Sequence, residues 1–131
     1  MLIKPKKSLG QNFLHDENII NKIINASKIS SDDQVLEVGP GTGNLTKLII
    51  SQKPKKIYVV EKDKSLAAEL EKQYCSKINV INKDILKITN EFYSGKKFLI
   101  LGNLPYNIST KILSNWCLNN KLNVSKMILM F

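Results

Sequence analysis

Arginine is absent from this chain: all 20 basic residues are lysine, set against 11 acidic ones, for a net charge of +9 and a pI near 9.6. Lysine neutralises phosphate as a point charge but lacks the planar fork with which arginine grips guanine or phosphate through two bonds. A polyanionic partner is expected from the charge, because lysines near phosphates release condensed counterions. Base-specific reading must come from other residue types. Histidine occurs once, as His15, with neither a nucleophile nor a metal partner beside it, so it reads as a polar flank rather than a catalytic base, and no metal site is expected. Cys75 and Cys117 have neither zinc-site spacing nor the density of a disulfide scaffold, and are expected to be reduced core thiols. No segment approaches the roughly 20 apolar residues of a membrane helix, so a cytoplasmic protein without membrane contact is expected.

What is present is one domain's worth of core: 131 residues, 43% of them hydrophobic. Asp16 is a good N-cap, and Ile19, Ile20, Ile23 and Ile24 recur at helical spacing through about Ser27. Short apolar runs at 34–38, 57–60, 78–81, 98–101 and 127–131 read as strands. Between them lie helical patterns from Asn44, from Lys64 to about Tyr74, and from a cap at Ser109 or Thr110 through Ile112, Leu113 and Trp116, with a loop and a helical turn over 85–92. Strict alternation of this kind predicts an α/β fold: a doubly wound, mainly parallel, Rossmann-like sheet of five strands with right-handed crossovers.

Ligands of such sheets bind at the carboxyl ends of the strands, where the chemistry-bearing residues of this chain fall. The first strand runs into Gly39-Pro40-Gly41-Thr42-Gly43, whose glycines alternate at every second residue. That is not the wider spacing that seats a pyrophosphate, so a phosphate-free ligand is expected. Glu61 ends the second strand, placed to accept hydrogen bonds from both hydroxyls of a ribose; Asp84, after the third, can accept from the exocyclic amine of an adenine with Ile85 against its face. A lone glycine turn or strand-end acid is usually structural. On successive strands, followed by Asn103-Leu104-Pro105-Tyr106 on the fourth, they make an adenosine site beside a second substrate. The amino group of a nucleobase is a poor nucleophile because its lone pair is delocalised. The Asn103 side-chain oxygen and the Leu104 carbonyl, each accepting one N–H, would favour the pyramidal nitrogen that attacks an electrophile. Pro105 fixes the turn, and Tyr106 offers a face for an extruded base.

Together these residues resemble the class I S-adenosylmethionine-dependent adenine N6-methyltransferases. Leu9-Gly10-Gln11-Asn12-Phe13-Leu14, with Asn103-Leu104-Pro105-Tyr106-Asn107-Ile108-Ser109, is similar to the small-subunit rRNA adenine dimethyltransferases of the KsgA type. The resemblance implies S-adenosyl-L-methionine as cofactor, with Asn12 and Leu14 closing over its methionine portion and Gly39 beneath it, Gly41 also binding it, Glu61 at the ribose, Asp84 and Ile85 at the adenine, and Asn103 between cofactor and target amine. It implies dimethylation of two adjacent adenosines near the 3′ end of small-subunit rRNA, in an immature small ribosomal subunit. Methylation of large-subunit rRNA or DNA adenine is the alternative within the enzyme class, and a non-catalytic, RNA-binding assembly factor is the alternative outside it.

Members of that family run to about twice this length. Residues 1–131 are therefore expected to be the N-terminal, cofactor-binding part of the catalytic domain, with no second domain, in a family of monomers. Weak or lost rRNA methylation and self-association through the bare edge of the last strand are expected of this length of chain.

Overall fold

The computed structural model describes residues 16–104 and 106–130. Its strands are β1 (Gln34–Val38), β2 (Lys56–Val60), β3 (Asn79–Ile81), β4 (Lys97–Asn103) and β5 (Asn123–Met130), every pairing parallel, in the order β3-β2-β1-β4-β5. The chain leaves β1 toward β2 and β3, then crosses back to β4. The order therefore reverses between β1 and β4, which is where a doubly wound sheet opens a crevice. The doubly wound parallel sheet expected from the alternation of patterns is the fold observed.

Both faces of the sheet are covered, as a parallel sheet requires. Successive side chains point to opposite faces. Val35, Ile57, Val59, Leu99 and Leu101 meet Ile20, Ile23 and Ile24 of α1 (Glu17–Ser27), Leu45 and Ile49 of α2 (Asn44–Ser51) and Leu70 of α3 (Lys64–Tyr74). Leu36, Val38, Tyr58, Val60, Phe98 and Ile100 meet Tyr93 of α4 (Asn90–Tyr93) and Ile112 and Trp116 of α5 (Ser109–Leu118). Each large aliphatic side chain buried this way contributes about 1.5–3 kcal/mol relative to exposure.

The caps explain where the helices start. Asp16 accepts from the N–H groups of Asn18 at 2.9 Å and Ile19 at 3.3 Å, and Asp63 does the same for Ser65 and Leu66 at the start of α3. At the far end of α1 the Lys126 ammonium, from β5, donates to the carbonyls of Ala26 at 3.4 Å and Ser27 at 3.1 Å.

Several expectations are corrected. Cys75 and Cys117 are both exposed, not core thiols. Cys75 terminates α3 with φ +48, and Cys117 follows the buried Trp116, so the helix turns it about 100° toward solvent. Ile19 lies off the core face, 37% exposed. β5 begins at Asn123 rather than 127: its first half, Asn123-Val124-Ser125-Lys126, holds one apolar residue and no apolar run to mark it as a strand. Helix α5 is preceded by Ile108 with no side-chain cap; Ser109 is instead the first helical residue, buried, with its hydroxyl 3.4 Å from the Tyr106 carbonyl. β4 extends past the expected 101 to Asn103, and that extension matters for the site. Among the described residues β5 is, as expected, an edge strand, paired with β4 alone. No helix among the described residues is long and apolar enough to cross a membrane.

Candidate active site

The carboxyl ends of four adjacent strands form one connected row. Within it, Gly39 sits against β4 so closely that a Cβ on it would lie 2.7 Å from the Asn103 carbonyl oxygen. Its φ of +69 is a left-handed conformation that glycine adopts without strain. On the other side, the Gly41 N–H donates to Glu61 Oε2 at 3.3 Å, tying the glycine loop to the end of β2. The Asp63 N–H donates to Glu61 Oε1 at 2.8 Å. The row continues to β3: Asn82 donates from Nδ2 to the carbonyls of Glu61 and Lys62, and the Lys62 ammonium stands 3.2 Å from Asp84 Oδ2. Gly43 closes the loop and opens α2 at φ +89, with Leu70 and Tyr74 of α3 filling the space where a side chain would stand.

Carboxylates concentrate here although the chain is strongly basic. Glu37, in β1, is 2% exposed; its Oε2 accepts the Thr46 hydroxyl at 2.6 Å. Burial pushes its carboxyl up to about 8, against the lowering effect of Thr46 and with a further push from the charge of Glu61. Burial also raises Glu61, opposed by the N–H groups of Asp63 and Gly41. Asp84 goes the other way. Its partial burial works against ionisation, but the Leu86 N–H, the Lys62 ammonium and the charge of Lys87 outweigh that and hold it below the usual range. Glu61 and Asp84, acceptors at the carboxyl ends of β2 and β3, suit a ligand carrying hydroxyls and amino groups and disfavour one carrying phosphates, whereas Glu37 is a buried core group.

The profile of the family described as "Ribosomal RNA adenine dimethylase" matches residues 3–131. The chain belongs to that family. Among curated relatives, Ribosomal RNA small subunit methyltransferase A of Pelagibacter ubique is 50% identical over 133 residues, spanning 100% of this chain and 50% of that protein. The protein of the same name from Hydrogenobaculum is 39% identical, over 98% of this chain and 50% of its own length. Of solved structures, the 23S rRNA methyltransferase ErmE superposes with a TM-score of 0.75 at 30% identity, over 90% of this chain and 48% of that one. A dimethyladenosine transferase from Plasmodium falciparum gives 0.75 at 29%, over 90% and 43%. The chain thus spans about half the length of the curated relatives it matches.

Of the residues singled out for this dimethylase-family site, Gly39, Gly41, Glu61, Asp84 and Asn103 come together in the row just described. Leu104 follows with its side chain buried at 2% and its N–H donating to Met130 of β5 at 2.9 Å, so the peptide after Asn103 is held by the edge strand. Tyr106 is 68% exposed, its ring open to solvent. Ile85 is 8% exposed, its side chain packed with Leu36, Val60 and Tyr93 in the core. Asn12, Leu14, His15 and Pro105 lie outside the described residues. Sequence reasoning gave no role to Glu37, Thr46, Lys62 or Asn82. Glu37 had a legible signal, a carboxylate inside the otherwise apolar Val35-Leu36-Glu37-Val38; Lys62 and Asn82 had none, because their roles depend on strand order.

Proposed function

We propose that this chain is the cofactor-binding and amine-positioning part of an S-adenosylmethionine-dependent rRNA adenine N6-dimethyltransferase, acting on two adjacent adenosines near the 3′ end of small-subunit rRNA in the immature small subunit. The observation that carries the reading is the contact between Gly39 and the Asn103 backbone, which sets the glycine loop directly against the residue assigned to the target amine. The names of the relatives favour small-subunit rRNA over the large subunit or DNA.

S-adenosylmethionine supplies an electrophilic methyl group on a sulfonium, together with an ammonium and two ribose hydroxyls. The acid-lined row fits those groups. Glu61 accepts the ribose hydroxyls through the lone pairs its two backbone partners leave, Asp84 accepts the adenine amine, and Asn12 and Leu14 close over the methionine end. Asn103 and the Leu104 carbonyl accept the N–H groups of the target adenine, and Tyr106 stacks on its ring. The amine sheds its proton after alkylation, so positioning and electrostatics dominate and no general base acts first.

Calorimetric titration with S-adenosylmethionine tests the cofactor half: Glu61→Ala weakens binding at least tenfold, on the order of the 1.4 kcal/mol lost with one charged hydrogen-bond acceptor. Equal heats in parent and variant sink it. Asn103→Ala tests the amine half, lowering labelled methyl transfer to small-subunit rRNA about a hundredfold while leaving the titration heat in place. A parent chain that binds subunits but gives no heat with S-adenosylmethionine favours the assembly-factor reading instead.

A further inference from the structure

The opposite end of the sheet carries a feature that the methyl-transfer site does not use. A groove of about 420 Å³ runs between the turn from α2 to β2 and the start of β3, lined by Ile50, Pro54 and Ile57 at its base and by Lys53, Lys55, Lys56 and Lys77 with Ser76 and Asn79 around it. All four lysines are exposed, and none forms an ion pair among the described residues. Among the described residues no carboxylate lines the groove. The nearest acid tied to it, Asp33, meets it through its backbone carbonyl, which accepts the N–H groups of Lys55 at 2.9 Å and Lys56 at 3.4 Å, while its carboxylate takes the Ser30 N–H.

The backbone that presents these ammonium groups is firmly held. Lys53 sits at φ +52, a costly conformation for a side-chain-bearing residue, with its N–H on the Ile50 carbonyl. Lys56 opens β2 with its ammonium 5.5 Å from the Tyr58 ring, and Asn79 opens β3 with its amide donating to the Ile57 carbonyl at 3.0 Å. Four like charges around one groove repel one another unless an anion joins them. The lining offers hydroxyl, amide and ammonium donors and no aromatic ring, a set that grips phosphate oxygens and reads no base.

We propose that this groove binds the phosphodiester backbone of the RNA substrate, at a point remote from the reacting base. Lys56 and Glu61 are five residue steps apart along β2, about 16 Å at the usual rise per residue, so the phosphates seated here belong to nucleotides other than the one at Asn103. The inference rests on the reading of the chain as an RNA-modifying enzyme, but it concerns a separate surface and has a separate test.

That test is the salt dependence of binding to a fluorescein-labelled fragment from the 3′ end of small-subunit rRNA, followed by anisotropy. The triple variant Lys53→Gln, Lys55→Gln, Lys77→Gln binds at least tenfold more weakly near physiological salt, and the slope of log K against log salt falls by about 2, the value for three lost phosphate contacts. Its S-adenosylmethionine titration matches the parent's, showing that the fold and the cofactor end are intact. A second triple variant, Lys97→Gln, Lys111→Gln, Lys121→Gln, loses much less. Unchanged RNA binding in the first variant overturns the proposal, as does an equal loss in the second, which would make the lysines a diffuse charge. So does retention of RNA binding with loss of binding to polyglutamate, which would assign the groove to an acidic protein. Failure of the parent to bind S-adenosylmethionine would count against the proposed function and leave the groove's own result standing.

Discussion

Replacing Gly39 with alanine is expected to destabilise the chain by about 3–4 kcal/mol, whereas the same change at Gly95 costs only about 1 kcal/mol. Both glycines have positive φ, +69 and +74, so the backbone penalty for an L side chain is shared. Their surroundings differ. A Cβ at Gly95 meets nothing within 4 Å, but at Gly39 it falls 2.7 Å from the Asn103 carbonyl oxygen, a backbone atom held in the β4 pairing with β5 and unable to swing aside. Relief requires β1 and β4 to part at their carboxyl ends, which also moves Asn103 and the glycine loop away from each other. Urea unfolding of the two variants measures the difference directly. Equal losses would mean that the Gly39 contact is soft, and the close seating of loop against strand would no longer support the site.

The second large effect is on pH. Glu37 titrates near 4.5 when unfolded and is pushed up to about 8 by burial in the fold. Between those values the folded chain holds a proton that the unfolded chain has lost, so stability is fully present below about 4.5 and is lost progressively as pH rises to about 8. The full loss is up to about 5 kcal/mol, at 1.36 kcal/mol per pH unit. Glu61, also raised, adds loss of the same sign, and Tyr74, raised by burial and then by the charge of Glu37, acts only at more alkaline pH. Glu37→Gln keeps an acceptor for the Thr46 hydroxyl and removes the titration. Its unfolding midpoint should lie near the parent's at pH 5 and above it at pH 9. Parallel curves for parent and variant would show that Glu37 ionises freely.

The outline of the fold and the grouping of much of the candidate site could be read from residue patterns because they obey local rules. Apolar runs of strand length bounded by turns located β1 to β4, and the placement of ligands at strand ends then made Gly39, Glu61, Asp84 and Asn103 one site before any contact was known. Pairwise geometry was beyond that reading. The bond from Gly41 to Glu61, the approach of Gly39 to Asn103 and the ion pair of Lys62 with Asp84 all depend on the order β3-β2-β1-β4. The start of β5 escaped because an edge strand needs no continuous apolar run, and the cysteines were misplaced because a residue type's usual burial says nothing about the helix face it occupies.

Lys126 ties β5 to the end of α1. Its ammonium reaches back 99 residues to the Ser27 carbonyl, and α1 rests on α2 and β5. Contacts of such long sequence separation close a much larger loop than those of α1 with α2, from which only β1 separates it in the chain. The β5 side of α1 therefore carries a larger loop-closure cost than its α2 side.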